Sequence, residues 1–248
     1  MNRHNLPFKD QSILLLAIAQ TLVWAGFYYL FPALLLRWEQ SLGWSKTDLT
    51  AAITLAIFVS AMTAPLAGRL IDAGKGALMM TVSSFFGGLC LIWLSLVSSL
   101  FEFYFIWALI GVVMAGCLFE PCFALITRAK GEKAKQSIIL VTLMVGFAST
   151  LCYPGIYTLS ETYGWRSAVQ FFAAVLISIA TPLMWFGAQP FEQEGKANAR
   201  LNNIHSLRNR YSGFWHWPLL CWQLSTVSSF ITCFQFSPTG ALMRIPQS

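Results

Sequence analysis

Charge is what this sequence has least of. Lys, Arg, Asp and Glu make up 10% of its 248 residues, where a soluble globular protein carries about 25%. Histidine is scarcer still: His4, His205 and His216 are the three in the chain, and all lie outside the long apolar runs. A serine–histidine protease inside the membrane, a haem site or a histidine-bound metal therefore has no residues to build on. No nucleophile–base constellation is visible, so no enzyme, cofactor or metal is expected. None of the six cysteines forms a C-x-x-C pair. Cys90, Cys117, Cys122 and Cys152 fall within apolar runs and read as small packing residues. The segment Gly68-Arg69-Leu70-Ile71-Asp72-Ala73-Gly74-Lys75-Gly76 looks faintly like a phosphate loop. It has one residue too many between the glycines, and Gly76 stands where a Ser or Thr would hold Mg²⁺, which excludes nucleotide binding.

Apolar surface is abundant. Hydrophobic residues are 56% of the chain, including 20 Phe and 10 Trp, more than a soluble fold of this size hides. Six runs have the roughly 20 residues needed to cross a hydrocarbon core of about 30 Å: 13–36, 49–66, 77–97, 103–126, 138–159 and 168–187. Backbone groups in lipid must pair within their own segment, so runs this long read as helices rather than barrel strands. The expected fold is all-α: a polytopic membrane bundle over 1–190, a cytoplasmic loop over 191–212, and a tail, 213–248. In that tail 213–236 is a candidate seventh span that carries His216, Pro218, Gln223 and Gln235. Twelve Lys and Arg fall in the N-terminus, the even-numbered loops and the stretch after span six, against Arg37, Lys46 and Arg166 on the other side. That asymmetry predicts a cytoplasmic N-terminus in a plasma or bacterial inner membrane. It also explains the net charge of +6 without nucleic acid, and lipid is the expected surrounding. The first span is too long for a signal-peptide core and is expected to stay as an anchor.

Lipid gives helices no hydrophobic reason to associate, so close packing of small residues must hold them. In span two Ala52, Ala56, Ser60, Ala64 and Gly68 recur at every fourth position and share one face. Ser84 with Gly88, Gly111 with Ala115, and Thr142, Gly146 and Thr150 give shorter versions. Pro32, Pro65, Pro121, Pro154 and Pro182 lie in or at the ends of spans and predict kinks. Trp44, Tyr163 and Trp165 read as interface anchors, and Ser45 with Asp48 as a helix cap.

Glu120 is the costly residue. It sits about 12 Å inside span four, measured from Arg128 at 1.5 Å per residue, where a carboxylate costs about 2.5 kcal/mol or more. Gly116 and Ala124, one turn either side, suggest that it faces another helix or a cavity. Pro121 follows and frees the Cys117 carbonyl. A titratable group beside a kink makes Glu120 a candidate proton carrier. Gln20, Trp24 and Tyr28 form a stripe on span one that could line a solute path, and Tyr153 beside Pro154 is a similar candidate.

Gly68-Arg69-Leu70-Ile71-Asp72 followed by Gly74 resembles the G-x-L-x-D-R-x-G-R-R signature of the major facilitator superfamily, with Ala73 in place of a basic residue and Lys75 as the reduced basic pair. Residues 146–155, ending in Pro154-Gly155, partly resemble that family's glycine–proline motif of span five. The turns Gly43-Trp44-Ser45 and Gly164-Trp165-Arg166, and Glu120-Pro121 within 118–123, are similar to its monocarboxylate-type subgroup. The resemblance covers about residues 10–195. It implies the N-terminal half of a secondary transporter for a small organic solute, with Gly68, Arg69, Asp72 and Gly74 at a gate loop and solute bound between two halves. The second half would come from another six-helix unit or a homodimer, since a truncated chain is the expectation. The alternative is an incomplete, transport-inactive membrane protein that associates through the small-residue face of span two.

Overall fold

The computed structural model describes residues 8–205. Those residues are helical almost throughout: α1 Phe8–Trp24, α2 Leu30–Leu42, α3 Lys46–Asp72, α4 Gly76–Ser95, α5 Leu100–Cys117, α6 Phe119–Lys130, α7 Ala134–Tyr163, α8 Trp165–Val175 and α9 Thr181–His205. Five stretches are long and apolar enough to cross a membrane: Gln11–Leu42, Lys46–Asp72, Gly76–Ser95, Leu100–Tyr163 and Trp165–Ala199. The protein is an integral membrane protein with an all-helical bundle. The candidate seventh span, 213–236, and the tail around it lie outside the described residues, as do His4, Arg3 and His216.

The breaks in the long helices have a common cause. A π-helical turn, Ala25–Tyr29, joins α1 to α2, and another, Leu176–Ala180, joins α8 to α9. Pro32 and Pro182 stand one turn further on. Each lacks an N–H and would press its ring on the carbonyl four residues back, Tyr28 or Ser178. The wider turn absorbs that conflict: the N–H of Leu30 reaches the Ala25 carbonyl and that of Thr181 the Leu176 carbonyl, both five residues back. Pro121 sits in the first turn of α6, where the absent donor costs nothing. Pro65 and Pro154 remain inside α3 and α7. The two π turns also meet, since a Cβ on Gly26 would lie 2.8 Å from Leu176 Cδ1.

Small residues set the spacing. Ala52, Ala56 and Ser60 of α3 are buried, Ala64 and Gly68 half-buried. A Cβ at Gly111 of α5 would lie 2.3 Å from the Ala56 carbonyl oxygen. The face expected to recruit a second protein is therefore occupied by α5 of the same chain. The corresponding stripe on α7, Thr142, Gly146 and Thr150, is exposed.

Contacts sort the turns into two ends. At one, Arg128 of α6 donates to the Ile71 carbonyl at 2.7 Å, and Asn198 of α9 donates to the Ala129 carbonyl at 2.7 Å. At the other, Tyr104 donates to the Asp48 carbonyl at 2.8 Å, and Arg37 pairs with Glu161. There Ser45 accepts from the Asp48 N–H at 3.1 Å, and Ser99 does the same for Glu102 at 3.2 Å, opening α5. The loop expected at 191–212 is helix as far as His205. Glu192 accepts from the Ala77 N–H at 2.7 Å, so α9 continues because it caps the start of α4. Trp165 is likewise not a surface anchor: it is buried, edge-on to Trp38 with ring centroids 6.3 Å apart.

Arg166 closes the open end of α4, donating from Nε to the Ser95 carbonyl and from Nη2 to the Val97 carbonyl, each at 3.1 Å. Arg166→Ala is expected to lower the melting temperature in detergent by roughly 2–6 °C. Arg166→Lys should not restore it, because an ammonium cannot make the forked contact. Full rescue by lysine would show that charge alone suffices.

Candidate functional site

The site begins with a broken helix. Leu118 is extended, φ −78° and ψ −154°, between α5 and α6. Pro121 has no N–H to offer the Cys117 carbonyl. Gln20 of α1 supplies the donor: its Nε2 lies 2.9 Å from the Cys117 carbonyl oxygen and 3.2 Å from that of Leu118. Gln20 is fully buried. It was expected on a solute-facing stripe with Trp24 and Tyr28; its amide nitrogen donates to the freed carbonyls and so holds the break. The break also corrects the surroundings expected of Glu120. Gly116, in α5, cannot share a continuous helical face with it, because α6 starts afresh at Phe119; Ala124, one turn on within α6, still does.

Restarting α6 brings Phe119 against α1. Its ring centroid is 4.5 Å from that of Trp24 and it stacks on Phe123 at 4.9 Å. Trp24 lies 5.0 Å from Tyr28 and 6.1 Å from Tyr29. Tyr29 then reaches Tyr153 of α7 at 5.7 Å and donates to the Val145 carbonyl at 3.3 Å. The structure thus joins three predicted residues, Trp24, Tyr28 and Tyr153, through two that sequence reasoning missed, Tyr29 and Phe119. Tyr29 was legible only with knowledge of the π turn, which brings adjacent tyrosines to one cluster. Glu120, next to Phe119 in the first turn of α6, is half-buried. Among the described residues no Lys, Arg or His pairs with its carboxylate. No group of three or more His, Cys, Asp or Glu there could hold a metal. The arrangement offers aromatic faces, phenol hydroxyls and one acid, which suits weak, reversible binding of a small molecule.

At the basic end, the turn after α3 is held tightly. Gly74 has φ +72°, so the backbone there favours glycine; a Cβ would lie 2.5 Å from Lys196 Cε, the end of a flexible side chain that can move aside. Asp72 is exposed, with Arg128 Nη1 at 3.5 Å from its carboxylate. Arg69 is exposed and Gly68 opens onto free space.

The family profile of the Major Facilitator Superfamily matches residues 16–246. The chain belongs to the major facilitator superfamily. No curated protein and no solved structure matches it. The matched stretch extends well past residue 195, where the likeness was expected to fade. Membership makes it a membrane transport protein.

Proposed function

We propose that the chain is a secondary carrier that moves a small organic solute together with a proton, with Glu120 as the proton-carrying group. Trp24, Tyr28, Tyr29, Phe119 and Tyr153 form the solute-facing wall. The observation that carries this reading is the break at Leu118. It sets Glu120, without an ion-pair partner among the described residues, beside an aromatic cluster drawn from α1, α6 and α7.

We infer six crossings. The stretch Leu100–Tyr163 has 64 residues, or about 96 Å of helix, three times the hydrocarbon thickness. Gly131, with φ +55°, divides it at the turn Gly131–Lys133. The basic end is assigned to the cytoplasm: Arg69, Lys75, Arg128, Lys130, Lys133, Lys135 and Lys196 gather there, and Arg37, Lys46 and Arg166 lie at the other end. Gly43 and Gly164, both at positive φ, open the paired Gly-Trp turns that favour the monocarboxylate-type subgroup. The exposed stripe of α7 is the surface on which a second helical wall would close the path, whether from a six-helix unit or from another copy. The residues Gly68, Arg69, Asp72 and Gly74 would then act as the gate.

The test is uptake into proteoliposomes against a panel of radiolabelled small organic acids and neutral solutes. Glu120→Gln should lower accumulation driven by a pH gradient at least tenfold while the protein inserts as well as wild type. Undiminished pH-driven accumulation by that variant would remove the proton role from Glu120.

A further inference from the structure

Two aromatic clusters run through the bundle, and they differ in what they leave open. Phe31, Trp38, Phe103 and Trp107 are fully buried and pack edge to face, so they are core. Trp24, Tyr28, Tyr29, Phe119 and Phe123 are half-buried and Tyr153 is exposed, so the rings of the solute-facing wall keep surface uncovered. Phe119 and Phe123 lie nearly parallel, 14° apart, a stack that another flat ring can extend.

The wall has no positive charge. No Lys, Arg or His stands between Lys9 and Arg37, between Lys75 and Arg128, or between Lys135 and Arg166, the stretches that hold all of these rings and Glu120. Arg37 is paired with Glu161, and Arg128 is held by the Ile71 carbonyl and Asp72. Hydrogen-bond donors are in surplus instead. Thr21 Oγ1 and Trp24 Nε1, one turn apart on α1, are buried and meet no hydrogen-bond partner among the described residues. Glu120 adds another donor whenever it carries its proton.

The charge of the solute rests on Glu120 being the proton carrier, as proposed above. A solute that travels with the proton meets Glu120 in its neutral form. An organic anion then has no counter-charge on this wall, and burying it unpaired is costly. An organic cation favours the ionised carboxylate and so competes with the proton it must accompany. A neutral solute meets neither objection. Its acceptors fit the surplus donors, and a flat ring fits the half-covered aromatic faces. We propose that the solute is a neutral N-heteroaromatic molecule, its ring stacked against Trp24, Phe119 and Phe123 and its ring nitrogen accepting from protonated Glu120. Such a ring is electron-poor, which suits the electron-rich faces of Trp and Phe.

Three pyridines of nearly one shape separate the charges: tritiated nicotinamide is neutral, nicotinate anionic and 1-methylnicotinamide cationic near neutral pH. Each is bound to the full chain in nanodiscs and read by scintillation proximity. Nicotinamide should bind roughly tenfold or more tightly than either ion. Unlabelled benzamide, which lacks the ring nitrogen, should displace it roughly fivefold less well, and cyclohexanecarboxamide, which lacks the flat ring, should not displace it. Phe119→Leu should weaken binding roughly fivefold and Phe119→Tyr should restore it. Glu120→Ala should weaken it roughly tenfold, and Glu120→Gln, whose amide is a neutral donor, should recover most of that loss. Tighter binding of either ion, equal binding of the three, or no saturable binding of nicotinamide overturns the proposal. The proton role of Glu120 is read separately, from pH-driven accumulation by Glu120→Gln, so failure of the solute class and failure of the proton role give different results.

Discussion

Valine in place of Gly111 is expected to lower the melting temperature of the detergent-solubilised protein by roughly 6–12 °C, the equivalent of at least about 3 kcal/mol. The reason is the atom it would strike. A Cβ there would meet the Ala56 carbonyl oxygen at 2.3 Å, with Ala56 C and Cα both at 3.0 Å. Backbone cannot turn aside as a side chain can, so α3 and α5 must separate. Separation would also open the contacts of Ala52 and Ser60, which lie on the same face. Gly146→Ala is the control: nothing lies within 4 Å of a Cβ added there, and alanine suits a helix better than glycine by about 1 kcal/mol. A Gly111→Val protein that melts within 2 °C of wild type would show that these helices do not touch through backbone.

That contact also shows where sequence reasoning reached and where it stopped. The stripe Ala52, Ala56, Ser60 is legible because its period matches the helix, and Gly111 is legible as half of a smaller stripe. Which stripe meets which is not, since complementarity belongs to two distant segments at once. Gly87 is the same case. It falls beside the expected Ser84 and Gly88 pair, yet it admits Phe27, whose Cζ would lie 2.1 Å from an added Cβ. Approximate limits of the apolar runs are legible in the sequence, although α4 stops at Ser95, short of the expected end at 97, and the run 103–126 is broken at Leu118. The π turns escaped because proline announces a conflict with a carbonyl without saying how the backbone relieves it. Trp165 escaped for a related reason: an aromatic residue at a span end suits the interface equally well as a core, and only the position of Trp38 decides. In the site, Glu120 and Pro121 were readable as an acid beside a freed carbonyl. The group that takes that carbonyl, Gln20, lies 97 residues away.

The second large effect follows from that pairing. Gln20→Leu should destabilise the protein by roughly 2 kcal/mol, a melting-temperature loss of roughly 4–8 °C, because the Cys117 and Leu118 carbonyls would be left without a donor in an apolar interior. Pro121→Ala should compensate. Alanine restores an N–H in the first turn of α6, one able to reach the Cys117 carbonyl in a continuous helix. The double variant should therefore recover at least half of the lost stability. It should not recover uptake, since a helix running straight through Leu118 would swing Phe119 away from Trp24 and take Glu120 with it. Stability and transport thus part company, which a generally damaged fold would not produce. Hydrogen exchange gives a local check: amides 118–124 should exchange at least tenfold faster in Gln20→Leu and slow again in the double variant. Wild-type stability in Gln20→Leu, or a double variant no better than the single, would show that the break is held by packing of α5 and α6 and not by the glutamine.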